Sequence, residues 1–162
     1  MDLVQFDTAH APTVAAWPTS ATESQRWCGR PEFPIRPEVI EEWSKAQDVQ
    51  AFLLLAEGEA VGYGELWLDE EENEVELAHL IVAPTHRRKG IGRHLTEALS
   101  KEAEQQPTAG TICLRVHPDN AAAARVYQSA GYQQVDEATA AEWNARQPVV
   151  YQWLVLKRRN DD

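Results

Sequence analysis

Apolar positions in this chain follow two periods, and each change of period marks a boundary between elements. Val75 to Val82 is a nearly continuous apolar run ending in β-branched residues, which suits a strand buried on both faces. Ala83-Pro84 ends it. Apolar residues then recur at Ile91, Leu95, Ala98, Leu99 and Ala103, the spacing of a helix over 90–105. Upstream, Ala51 to Ala56 and Val61 to Leu68 flank Glu57-Gly58-Glu59, a hairpin signal, and Asp69 to Asn73 is the turn into the strand that follows. These short connections predict three consecutive antiparallel strands. Thr111 to Val116 is reached only through the long helix, and such a crossover makes it parallel to 75–82.

The flanks are read in the same way. Leu3 to Phe6 predicts a first strand, Thr8 to Trp17 a helix that Pro18 stops, Ala21 to Cys28 a helical turn, and Pro37 to Ala46 a helix with proline at its first position. After 116, Ala121 to Ala130 is a helix former capped by Asp119 or Asn120 and ended by Gly131. Tyr132 opens a strand, Thr139 to Asn144 is a last helix and Val149 to Leu156 a last strand. The predicted class is α/β (α+β): one mixed, mostly antiparallel sheet of six to seven strands, flanked by about four helices.

Length and charge narrow the picture. The 162 residues, 43% of them hydrophobic, suit one domain over 1–162 with a single core. No segment reads as a targeting peptide or a membrane span, so a soluble cytoplasmic protein without membrane partners is expected, with a homodimer left open. The net charge of −11 argues against a nucleic-acid partner. Cys28 and Cys113 are far apart and are expected to be reduced, Cys113 in the core; no histidine shows metal spacing. Lys157-Arg158-Arg159, beside Asp161 and Asp162, reads as a solubilising tail. The stretch from Trp17 to Ile40, with Trp27 and Phe33, and Trp43 just beyond it, is either a functional wall or a plug for the core.

Positive charge is otherwise local. Arg87-Arg88-Lys89-Gly90-Ile91-Gly92 is a basic, glycine-bearing turn that opens a helix, where unpaired N–H groups and the helix dipole converge on an anion such as a pyrophosphate. It is neither a P-loop, since no Gly-Lys pair exists, nor a dinucleotide fingerprint, since Leu95 stands where the third glycine belongs. The turn lies at the carboxyl end of the strand where the winding changes, the place where open α/β sheets bind ligands.

With Val82-Ala83-Pro84 before it, this turn resembles the Arg/Gln-x-x-Gly-x-Gly/Ala signature of the GNAT superfamily of acyl-CoA-dependent N-acyltransferases. Asn120 to Tyr132 resembles that superfamily's second segment, Asn-x-x-Ala-x-x-x-Tyr-x-x-x-Gly-Phe/Tyr. The resemblance implies a sheet splayed between its fourth and fifth strands and acetyl-CoA as cosubstrate, without a metal. It implies that the backbone of Leu80, Ile81 and Val82 pairs with the pantetheine arm. Arg87, Arg88, Lys89, Gly90, Ile91, Gly92 and Arg93 would hold the pyrophosphate. Asn120 would touch the cofactor arm, beside its reading as a helix cap, and Tyr127 would lie near the sulfur as the acid, beside its reading as a core aromatic.

Attack of an amine on a thioester needs a neutral amine, a polarised carbonyl and a protonated leaving thiolate. The resemblance puts the carbonyl at an amide near Leu80 or Ile81. For the base, Glu76 lies six residues before Val82, about 20 Å along an extended strand, and matches a base position used by some members. The period of two places it on one face with Ala78, Leu80 and Val82, and His79 on the other face as a structural residue. Near the strand's start Glu76 can also simply reach water, which leaves Glu76 or water as base. Certain ribosomal-protein acetyltransferases carry a glutamate where this chain has Arg115, a departure from that branch. The expected activity is N-acetyl transfer from acetyl-CoA to a primary amine in a ternary complex, the alternative being a catalytically silent acyl-CoA-binding module. The acceptor is a small-molecule or protein amine; the acidic turn from Asp69 to Glu74 is either a solvated loop or a device that attracts a cationic acceptor.

Overall fold

A computed structural model of the chain describes residues 1–158. Its strands are β1 (Asp2–Gln5), β2 (Val49–Ala56), β3 (Glu59–Asp69), β4 (Glu74–Val82), β5 (Thr111–Val116), β6 (Tyr132–Gln134) and β7 (Gln152–Leu156). They form one sheet in the order β1-β2-β3-β4-β5-β7-β6. Among the described residues only β4 and β5 pair in parallel, as the crossover through the long helix requires. Glu57 and Gly58, at φ 50° and 79°, close the two-residue β2–β3 hairpin with the twist such turns favour.

Among the described residues there are six α-helices where about four helices were expected: α1 (Ala11–Ala15), α2 (Ala21–Cys28), α3 (Pro37–Lys45), α4 (Ile91–Glu104), α5 (Ala121–Ser129) and α6 (Glu137–Asn144). α2 is a full helix rather than a turn because Ser20 accepts from the Glu23 N–H at one end and Gly29, at φ 72°, closes the other. α6 begins two residues before its apolar pattern because Asp136 caps it.

Two apolar clusters cover the two faces of the sheet. Leu95, Leu99 and Ala103 of α4 and Ala124 of α5 pack with Leu54, Leu66, Leu77 and Leu114 on one face. Val14 of α1 and Val39 and Ile40 of α3 pack with Leu53, Tyr63 and Ile81 on the other. Helix α4 sits close over β3 because Gly64 has no side chain; a Cβ there would stand 2.5 Å from Leu99. Cys113 is buried, and burial, with Glu76 and Glu74 nearby, pushes its thiol well above the ordinary value. Arg158 of the basic tail donates to the Ala109 carbonyl and is tied to the fold, while Arg159, Asp161 and Asp162 lie outside the described residues. No helix among the described residues is long and apolar enough to cross a membrane.

Candidate active site

Strands β4 and β5 pair only over Glu74 to Leu77 and Thr111 to Leu114. Beyond that they part, and a cleft of about 800 Å³ fills the opening. One side of β4 is thereby left with peptide groups that no neighbouring strand uses, at Leu80, Ile81 and Val82, all of which line the cleft.

At the far end of this strand the chain turns into α4. Gly90 takes φ 78° and ψ 4°, a left-handed conformation natural to glycine, and no side chain caps the helix that follows. The first N–H groups of an α-helix have no partner within it, so this end presents donors and partial positive charge. Arg88, Gly90, Gly92 and Arg93 line the cleft there. Gly92 packs toward Val126 of α5, where a Cβ would stand 3.4 Å from that side chain. Arg87 also lines the cleft, but its guanidinium is committed within the protein: Nε donates to the Val82 carbonyl at 3.0 Å, and one terminal nitrogen reaches the Trp17 carbonyl at 3.3 Å and Glu23 at 2.5 Å. Burial alone would raise the Glu23 carboxyl, but the bonds and charge of Arg87 and the bond from Thr19 hold it below the ordinary value. Lys89 is exposed and Ile91 packs into the core, so neither side chain lines the cleft.

Helix α5 supplies the opposite wall. Asn120 caps it, its Oδ1 accepting from the Ala123 N–H at 3.3 Å, and the residue also lines the cleft. Tyr127 projects into the same space and packs against the core. Its hydroxyl has no hydrogen-bond partner among the described residues, and burial pushes its pKa up to about 12. A phenol so held is protonated at any working pH.

The opposite end of the cleft differs from the sequence expectation. Across β3, Trp67 faces Glu76 and Glu65 faces Ala78, but Tyr63 faces Ile81, so β4 carries one extra residue at His79-Leu80. This β-bulge, with His79 at φ 53°, reverses the alternation. Glu76 and Ala78 therefore share their face with Ile81, not with Leu80 and Val82, which pack under α4. The bulge also brings the His79 ring to the Glu76 side rather than the opposite one, where its Nδ1 lies 2.9 Å from Glu65. Glu65, which the sequence reading passed over, is fully buried and also accepts from the Tyr63 hydroxyl at 2.6 Å and the Trp67 indole at 2.8 Å. A lone acid inside an apolar strand was the available signal.

Glu76 is not solitary. Arg115 of β5 grips it with two bonds, Nε to Oε2 at 3.0 Å and a terminal nitrogen to Oε1 at 2.8 Å. The remaining terminal nitrogen donates to Gln147, and the guanidinium stands over the rings of Trp153, Tyr151 and Trp67 at 4.7, 5.3 and 5.8 Å. Burial works against the charge on Arg115, but Glu76 more than offsets it and holds its pKa above the ordinary value. The Trp-rich stretch divides its roles. Trp17 is in the core, Trp27 lines the cleft and donates to the His79 carbonyl at 2.8 Å, and Trp43 stacks on the His79 ring at 3.9 Å.

Beyond the Glu76–Arg115 pair lies a second cavity of about 460 Å³, bounded by Asp69, Glu72, Glu74 and Glu142 and by Trp67, Trp143 and Trp153. It shares Trp67, Glu76 and Arg115 with the cleft. Burial, and then the carboxylates around it, holds the Glu74 carboxyl above its ordinary value. No group of three or more His, Cys, Asp or Glu side chains placed to hold a metal ion occurs among the described residues.

Comparison with known proteins places this arrangement. The sequence profile of the Acetyltransferase (GNAT) family matches residues 14–132. The [Ribosomal protein bS18]-alanine N-acetyltransferase of Escherichia coli K12 is 40% identical over 67 residues, 41% of this chain and 43% of that protein, so the match spans less than half of the relative's length. Among solved structures, aminoglycoside acetyltransferase AAC(6')-Ib in complex with ribostamycin and coenzyme A superposes with a TM-score of 0.76 at 20% identity, over 99% of this chain and 97% of that one. Spermidine N-acetyltransferase from Vibrio cholerae in complex with CoA and spermine gives 0.66 at 19% identity, over 83% and 82%. At these identities the structures share the fold.

Proposed function

The chain belongs to the GNAT acetyltransferase family, and from that membership we propose that it transfers an acetyl group from acetyl-CoA to a primary amine by direct attack in a ternary complex. The observation that carries the proposal is the parting of β4 and β5, which opens unpaired strand backbone between an uncapped helix end and an unpartnered tyrosine hydroxyl. Each part meets one need of the reaction. The α4 turn takes the pyrophosphate of the acetyl-CoA substrate on its amides, with Arg88 and Arg93 adding charge and Arg87 holding the turn in place. The Leu80–Val82 backbone aligns the pantetheine arm, the Asn120 amide nitrogen donates to it, and an amide near Leu80 polarises the carbonyl. Tyr127 donates its proton to the sulfur as the C–S bond breaks; with a pKa near 12 it gives it up only as negative charge collects there.

The acceptor enters from the Glu76 end. The second cavity, walled by carboxylates and indole rings, suits a cationic amine, which gains there from charge and from the ring faces. In this reading Glu76, with both oxygens held by Arg115, shapes the amine subsite.

Free-thiol release from acetyl-CoA with a panel of cationic, neutral and anionic amines tests the proposal. Turnover with cationic primary amines ahead of anionic ones is expected, and Tyr127→Phe should lower kcat by about 10²-fold with little change in acetyl-CoA affinity. Binding of acetyl-CoA without thiol release for any amine would mark the chain as an acyl-CoA-binding module instead.

A further inference from the structure

The geometry points to His79 as the general base of this acetyl transfer, with Glu65 as the residue that positions it, an inference that rests on the acetyltransferase reading above. The extra residue in β4 turns the His79 ring to the Glu65 side of the sheet, within the wall of the cleft, and one position before the backbone assigned to the thioester carbonyl. Bulges recur beside active sites because they re-aim a side chain that regular alternation would send elsewhere.

The ring is fixed on every side that a base does not need. Trp43 stacks on one face at 3.9 Å and 25°, and Trp67 and Trp27 make T-shaped contacts with centroids 5.2 and 6.3 Å away. Glu65 accepts from Tyr63, from Trp67 and from His79, so Nδ1 is the nitrogen that carries hydrogen and the lone pair of the neutral imidazole falls on Nε2. Nε2 has no partner among the described residues and is not sealed from solvent, in a side chain 13% exposed. A buried carboxylate on Nδ1 with a free Nε2 is how an imidazole is oriented and its protonated form supported during catalysis. The charged groups around it are Glu65 from β3 and, beyond the Trp67 ring, the Glu76–Arg115 pair. Both Glu76 oxygens already accept from Arg115, whereas Nε2 is unengaged.

In the step itself the amine lone pair forms the C–N bond at the acetyl carbonyl carbon and the C–S bond breaks. The proton lost by the amine nitrogen passes to His79 Nε2 and on to solvent. The sulfur takes a proton from Tyr127, which regains one from water.

The test compares parent, His79→Asn, Glu65→Gln and Glu76→Gln. Asparagine is chosen because it tolerates a positive φ. His79→Asn should lower kcat about 10²-fold and leave acetyl-CoA affinity within about twofold by calorimetric titration. It should also replace the acidic limb of the kcat/KM pH profile by one set only by ionisation of the amine itself, with the deficit shrinking as pH approaches the amine's own pKa. Glu65→Gln should shift that limb, and Glu76→Gln should retain it whatever its rate. Nitrogen-15 NMR of the parent, which needs no variant to fold, should show the Nδ1–H tautomer of His79. Parent-like kcat with an intact limb in His79→Asn, loss of the limb in Glu76→Gln, or the Nε2–H tautomer in the parent would each overturn the assignment. With an active parent such a result removes only the base; a parent that releases no thiol with any amine removes the acetyltransferase reading itself, and the base falls with it.

Discussion

The two ends of the cleft are made of different material. At the α4 end the groups that can hold a ligand are peptide N–H and C=O groups, presented by a strand that has lost its neighbour and by a helix that no side chain caps. At the other end they are side chains: Trp27, His79, Glu76 and Arg115 line the cleft there, and Trp143 the second cavity beyond it. Backbone groups are the same whatever the sequence, so the first end asks mainly that glycine stand at Gly90 and Gly92 and that the turn be cationic. The second end asks for a particular charge or ring at each position, and those charges oppose folding unless each finds its partner. The backbone end can thus be built once, while the side-chain end can vary.

The sharpest way to break the contrast is Gly90→Val. A Cβ there meets nothing within 4 Å, but the φ of 78° is strained for a β-branched residue, so the turn must move. Loss of acetyl-CoA binding by at least about 100-fold in calorimetric titration is expected, with a fall in Tm of about 2–12 °C, since about 1–3 kcal/mol of strain is involved and the rest of the fold is untouched. Unchanged affinity would show that the anion site does not depend on the amides.

A smaller effect is expected at the other end, and mainly on stability. Arg115→Ala leaves Glu76, 7% exposed, without its partner and empties the space between three aromatic rings. The pair is only partly buried, so a fall in Tm of roughly 5–10 °C is expected by thermal denaturation, with acetyl-CoA affinity unchanged. The double variant Arg115→Met, Glu76→Leu should regain most of that Tm while its KM for a cationic amine stays raised, which separates the pair's contribution to folding from its contribution to the acceptor.

The smallest effect concerns Glu74, whose carboxyl is held above its ordinary value near 4.5, first by burial. A group with a raised folded-state pKa binds its proton more tightly in the folded chain, so stability falls as pH rises from the unfolded value through the folded one. Glu74→Gln should therefore raise Tm by about 1–2 °C at pH 7, and the gain should vanish below about pH 4, where the parent is protonated in both states. A gain at acid pH as large as at neutral pH would contradict the sign.

The legible half of the site is the half made of backbone. Residues 87–93 declare their structure in consecutive positions, because a proline, three cations and two glycines in that order leave few conformations open. Asn120 and Tyr127 were legible for the same reason, being seven residues apart on one short helix. Glu76 was visible as a lone acid in an apolar strand, but its partner Arg115 was visible only as a departure from a relative's pattern. His79 was read on the wrong face because counting by twos assumes an unbroken strand, and one inserted residue reverses every assignment after it. Glu65 was missed because a single acid in an apolar strand can be satisfied by reaching water, and nothing local shows that its face is covered or that Tyr63, Trp67 and His79 bond it.

By itself the sequence determined the order and type of most elements, the parallel crossover, the class of the sheet and the position of the basic, glycine-bearing turn, which follow from periodicity, turn chemistry and the lengths of the connections along the chain. Only the tertiary structure decided what meets at the Glu76 end of the cleft: that Trp27 lines it and Trp43 stacks on His79, that Arg115 takes Glu76, and that Glu65 bonds the His79 ring. Those meetings join positions as far apart as 14 residues for Glu65 and His79, 39 for Glu76 and Arg115, and 52 for Trp27 and His79. Each depends on sheet register, on one bulge and on how the helices seat over the sheet, and these are settled by the packing of the whole core rather than by any local pattern.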